Sequence, residues 1–129
     1  MDMTKFYTRD SAEKGIKLPL ILPNGEKTDE YLVVLGVDSD TFRKANTVAI
    51  RSSANVRMTM PKATEEELAA AQDEIELELI ATLVTDWSFE TECTKANVIE
   101  FLRNAPQLRD AVNIKAASRA AFFEKGATN

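Results

Sequence analysis

The period of the hydrophobic residues changes once along this chain, and that change separates a strand-forming part from a helix-forming part. Ile16, Leu18, Leu20 and Leu22 fall on one side of an alternating segment, with Lys17, Pro19 and Ile21 on the other. A period of two is that of a half-buried strand. Pro19 lacks the N–H that a ladder needs, which assigns the strand to a sheet edge. Pro23-Asn24-Gly25 is a turn signal, because Gly tolerates positive φ and Asn is next best. The chain returns through Glu30 to Val37, where Tyr31-Leu32-Val33-Val34-Leu35 is rich in strand formers. The pair reads as a β-hairpin, which is marginal alone in water and has to lay its apolar face on helices or on another subunit. Before it, residues 1–14 are polar apart from Phe6-Tyr7 and are expected to order late or on a partner.

Beyond Asp38-Ser39-Asp40-Thr41, an N-cap cluster, the spacing becomes helical. Phe42, Ala45, Ala49 and Val56 mark a first long helix, which Met58-Thr59-Met60-Pro61 ends. Thr64 and Glu67 have the spacing of a capping box, and Glu65, Glu66 and Glu67 suit the positive end of the helix dipole. The second helix carries Leu68, Ile75, Leu79 and Leu83 with Leu77, Ile80 and Val84, an apolar face wider than a surface helix requires. It is expected to run up to Trp87 and Phe89 on the connection. Thr94 begins a third helix with Val98, Ile99, Phe101 and Leu102. Pro106 opens a fourth, where its missing N–H costs nothing. Leu108, Val112, Ala116, Ala120 and Phe123 continue that helix to Gly126 as its C-terminal cap.

The expected architecture is an α+β fold in which an N-terminal β-hairpin packs on about four α-helices, as one mostly helical domain over 1–129. Residues 1–14 and 126–129 are its flexible ends. A chain of 129 residues can bury roughly two-thirds of its unfolded surface. No apolar run approaches the ~18 residues that span a membrane, and the polar start lacks a signal-peptide core. Location in the cytoplasm of the producing cell is the expectation.

The chain has no histidine and one cysteine. Ser-His and Cys-His pairs are thereby excluded, as are His-containing metal sites and thiolate clusters. Its four glycines are isolated, so no phosphate-cradling glycine spacing is present. Cys93 precedes the helix start at Thr94, where a thiol pKa can fall; the plainer reading is a half-buried small residue with no base to activate it. Asp86 and Glu90 have no visible partner to tune them for acid–base chemistry. Neither catalysis, nor a cofactor, nor a metal is expected.

Charge is segregated. Residues 41–57 hold four bases, Arg43, Lys44, Arg51 and Arg57, and no acid, whereas residues 65–92 hold ten acids, Glu74 and Glu78 among them, and no base. Such a contrast can steer like subunits together, and equally can be surface charge on neighbouring helices. Those six residues are the candidates for self-association. Without interleaved aromatics the basic stretch is a weak nucleic-acid footprint. Trp87 and Phe89 are either core residues at a helix junction or a binding anchor. Phe122 and Phe123 point to two sides of the last helix, one buried and one free for a partner.

The order of these signals resembles the small tail assembly chaperones of long-tailed bacteriophages, in particular those of lambdoid phages. In the N-terminal part the likeness lies in Lys5-Phe6-Tyr7-Thr8-Arg9, Glu13-Lys14-Gly15-Ile16, Leu22-Pro23-Asn24-Gly25 and Tyr31 to Ser39. In the C-terminal part it lies in Trp87-Ser88-Phe89, Asn97-Val98, Leu102, Ala105-Pro106-Gln107-Leu108 and Arg119 to Phe123. These are structural signatures, and their order and spacing carry the match. The resemblance implies a non-enzymatic assembly chaperone that acts in the host cytoplasm and is absent from the mature virion. It would hold the aggregation-prone tape measure protein and recruit tail tube subunits, as a homo-oligomer. Many such chaperones also occur in a longer form made by ribosomal frameshifting, and this chain looks like the short form. The rival readings are a small nucleic-acid-associated phage protein using the 41–57 helix and a structural tail subunit retained in the particle.

Overall fold

The computed structural model describes residues 1–123. Its centre is a three-stranded antiparallel sheet in the order β1-β2-β3, formed by β1 (Ile16–Ile21), β2 (Lys27–Val34) and β3 (Val84–Trp87). Five α-helices accompany it: α1 (Arg9–Lys14), α2 (Asp40–Thr59), α3 (Glu65–Ala81), α4 (Lys95–Asn104) and α5 (Pro106–Ala117). The α+β class and the N-terminal hairpin are as the sequence reading expected. Pro19 sits on β1, an edge strand, opposite Tyr31.

Met3–Phe6 form a 3-10 turn, with the Asp2 side chain accepting from the Thr4 N–H at its start, and α1 follows. Two expectations are corrected. The second helix stops at Ala81, and Val84 to Trp87 is a third strand rather than helix and connection. The cause is a bulge. Leu32 pairs with Trp87 and Val33 with Asp86, but Val34 pairs with Val84, so Thr85 is the extra residue. An extra residue breaks the period of two, and it turns both Val84 and Trp87 to the core although they lie three apart, a helical spacing. Finally, the last helix ends at Ala117, and a 3-10 turn, Arg119–Phe122, replaces its continuation. The Gly126 cap and the flexible 126–129 end lie outside the described residues.

The core lies between one face of the sheet and three helices. Leu20, Leu32, Val34, Val84 and Trp87 meet Leu77, Ile80 and Ala81 of α3, Val98 and Leu102 of α4, and Val112 and Ala116 of α5. The segment after β2 holds the remaining parts together by its backbone. Leu35 N–H donates to Leu83 C=O, Gly36 to Ala12 and Val37 to Ala116. Gly36 has to be glycine, because a Cβ there would stand 2.8 Å from that of Ala12. Ser39, fully buried, then caps α2 through its hydroxyl on the Phe42 N–H. The Thr64–Glu67 capping box is present with both of its hydrogen bonds.

Candidate functional site

Two surfaces and one chain end carry the residues that the sequence singles out. The first surface is an aromatic groove. Trp87 ends β3 on the core side, and its indole N–H donates to Thr91 C=O at 2.7 Å, which folds the following loop back over the ring. Phe89 on that loop and Phe101 on α4 stand edge-on to Trp87, their centroids 5.3 and 5.6 Å from it, and 5.2 Å from each other. Trp87 is 8% exposed. Phe89 and Phe101 are half-buried and floor an open groove of about 800 Å³ whose lining includes Glu30, Glu90 and Glu100 and no base. Of the open alternatives, Trp87 is core, whereas Phe89 remains reachable. Phe101 completes the trio and was legible only as a helix residue, since nothing in the sequence brings it to Trp87.

The second surface is the helical hairpin of α2 and α3. Only Val56 of α2 is buried. Val48, Ile50 and Met58 are 60%, 63% and 79% exposed. Along the seam the small residues Ala49 and Ser53 face Ile75 and Leu79, leaving a cleft of about 610 Å³ that Gln72 spans by donating to Ser53 C=O. The wide apolar stripe of α3 is thus divided: Leu68, Leu77 and Ile80 enter the interior, while Ile75 and Leu79 line this cleft.

The chain end carries the Phe pair. Phe122 is buried against Ile16 and Ala121, and Phe123 is 53% exposed. Arg119, at the start of their turn, makes two hydrogen bonds to the Asp38 carboxylate, at 2.7 and 2.9 Å. Those bonds hold the Asp38 carboxyl below the usual carboxylate range, with the Arg119 and Arg43 charges adding to the effect. Beside it Arg9 grips Asp40, and the Glu13 carboxylate accepts from the Thr41 N–H and hydroxyl. Phe122 and the Trp87 groove belong to separate clusters.

The six self-association candidates divide. Arg57 pairs with Glu65, and Glu74 accepts two hydrogen bonds from Arg103, so both are engaged within the chain. Arg109 likewise faces Asp73 and Glu76. Asp73, Glu74 and Glu76 of α3 are therefore matched by bases of α4 and α5. Arg43, Lys44, Arg51 and Glu78 are exposed and in no ion pair among the described residues. Cys93 is half-buried, and burial with the nearby Asp86 charge raises its thiol pKa. Both effects disfavour the thiolate, in keeping with the plainer reading of a half-buried small residue.

The class so defined is a small α+β protein whose conspicuous features are partly uncovered apolar surfaces bordered by charge. The family model described as phage tail assembly chaperone matches residues 12–125, nearly the whole sequence, and the chain belongs to that family. The resemblance drawn from the sequence signatures is borne out. Searches of curated proteins and of solved structures gave no match. Membership establishes a role in phage tail assembly as a chaperone, with tail proteins as partners in general.

Proposed function

We propose that this chaperone binds the tape measure protein and helps gather tail tube subunits around it, working in the host cytoplasm, without catalysis, and leaving before the virion is complete. The carrying observation is the family match over residues 12–125. The surfaces support it physically. A client that is long and prone to aggregate needs apolar contacts that a folded holder can offer without collapsing on itself. The half-buried Ile75 and Leu79 with the exposed Val48 and Ile50 supply such contacts on the α2–α3 hairpin. Phe89 in its groove and Phe123 at the chain end supply two more. Covering a long client calls for many copies, so the chain is read as self-associating, and a frameshifted longer form would carry its extra segment onward from the region of Phe123. A net charge of −5 keeps the unloaded protein soluble.

Co-expression with the tape measure protein encoded by the same phage tests the reading. The tape measure protein is expected in the soluble fraction and retained by a tagged chaperone. Insoluble tape measure protein at matched expression, with nothing retained, overturns it. Salt-sensitive binding of the purified chain to DNA, or its presence in purified particles, would favour the rival readings instead.

A further inference from the structure

We propose that the aromatic groove of one copy receives the outward face of α2 from a second copy, so that copies join head to tail. The inference rests on the reading that the chain self-associates, and it names the two surfaces. The groove has an apolar floor, Phe89 and Phe101 over Trp87, and an acidic rim, Glu30, Glu90 and Glu100. Glu100 pairs with Arg103 at 3.7 Å, whereas Glu30 and Glu90 are in no ion pair among the described residues, the Glu30 carboxylate accepting from the Ser88 hydroxyl. The α3 acids Asp73, Glu74 and Glu76, by contrast, already face Arg103 or Arg109.

The chain itself displays the complement. Lys44, Val48, Arg51 and Met58 recur at three-, four- and seven-residue steps, which places them on one side of a helix. All four are exposed on α2. That side presents two cations alternating with two apolar side chains, the chemistry that a rim of carboxylates over aromatic rings accepts: guanidinium or ammonium against carboxylate or ring face, and aliphatic carbon on the floor. No residue belongs to both surfaces. A contact between them is therefore heterologous, a joined pair keeps one free face of each kind, and assembly continues in a ring or filament. An overall charge of −5 repels like copies, and opposed local patches overcome this in one orientation only. An open-ended series is also the geometry that a long client needs.

Two full-length variants test this by sedimentation at low salt, with circular dichroism to verify the fold. One is Lys44→Ser/Arg51→Ser, which neutralises the α2 face. The other is Glu90→Lys/Glu100→Lys, which reverses the groove rim. The wild-type chain is expected to form a concentration-dependent series of oligomers. Each variant alone should need at least about tenfold more protein to associate, since charge pairs across an interface set orientation and suppress wrong contacts. An equimolar mixture should form a one-to-one dimer and stop there, because the basic α2 of the second variant meets the intact groove of the first and no other complementary pair remains. A mixture that stays monomeric, or either variant assembling like wild type, overturns the proposal. A wild-type chain that is monomeric at every concentration also overturns it, while the tape measure solubility assay judges the chaperone reading separately. Should the reversed variant lose its fold, Glu90→Gln/Glu100→Gln takes its place with the same expected and contrary outcomes.

Discussion

At the scale of single residues, neighbouring aromatics in this chain have opposite duties, and mutation separates them. Trp87 is 8% exposed, touches the rings of Phe89 and Phe101, and uses its indole N–H to fix the loop at Thr91. Trp87→Ala is expected to cost about 3–5 kcal/mol in a denaturant melt, the range for a large aromatic removed from a core. A loss below about 1 kcal/mol would mean that the ring is not the keystone described. Phe122 and Phe123 provide the sharper contrast. Phe122→Ser should destabilise by about 3 kcal/mol or more, because it opens a cavity and buries a hydroxyl. Phe123→Ser should leave stability within about 0.5 kcal/mol while weakening retention of the tape measure protein. Equal losses of stability in the two would place both rings in the core and remove Phe123 as a client contact. That one Phe of the pair faces inward and the other outward was legible from adjacency alone. Which was which was not, since the 3-10 turn that sets their directions begins only after the helix ends at Ala117.

At the scale of elements, caps and turns were legible and the third strand was not. Ser39, Thr64 and Thr94 each receive a backbone N–H at their helix start, and Pro106 opens α5. These signals are local, so the sequence displays them directly. β3 depends on a partner fifty residues away, and its bulge at Thr85 gives Val84 and Trp87 a helix-like separation. The pairing of α3 acids with Arg103 and Arg109 was hidden for the same reason, being a product of tertiary packing. The capping box offers a direct check: Thr64→Ala should cost about 1 kcal/mol, and a thermal melt identical to wild type would mean that the α3 start is held by its packing alone. The C-terminal turn offers another, through pH. The hydrogen bonds from Arg119 depress the Asp38 pKa, so the ionised carboxylate stabilises the fold. That contribution is complete above the ordinary carboxylate pKa of about 4 and fades as pH falls through the depressed folded value. Arg119→Met should therefore be less stable than wild type at neutral pH, with the gap closing in acid. A gap of constant size at all pH values would show that Arg119 acts through packing rather than through Asp38.

At the scale of the whole molecule, stability is unevenly distributed, and the uneven part is the part proposed to meet partners. The sheet and α3, α4 and α5 share one core, to which β2 contributes Leu32 and Val34, both fully buried. α2 is the longest helix, at 20 residues, yet only Val56 of it is buried, with Phe42 partly covered at its start. Its middle leans on α3 through small side chains across a cleft that Gln72 spans with one hydrogen bond. A helix so held gains little from burial and can open while the core stays closed, because local unfolding follows the local density of apolar contacts. Native-state hydrogen exchange on dilute, unassembled protein should accordingly show amides near Val48 to Ser53 exchanging through an opening of lower free energy than those of Leu32 to Val34. Raising the concentration to drive self-association, or adding tape measure protein, should slow exchange in α2 selectively, since covering Val48, Arg51 and Met58 stabilises the closed helix by mass action. Exchange in α2 as slow as in β2 in the dilute protein would mean that the hairpin is a rigid part of the core. Unchanged exchange in α2 on assembly would mean that its outward face is not where partners bind.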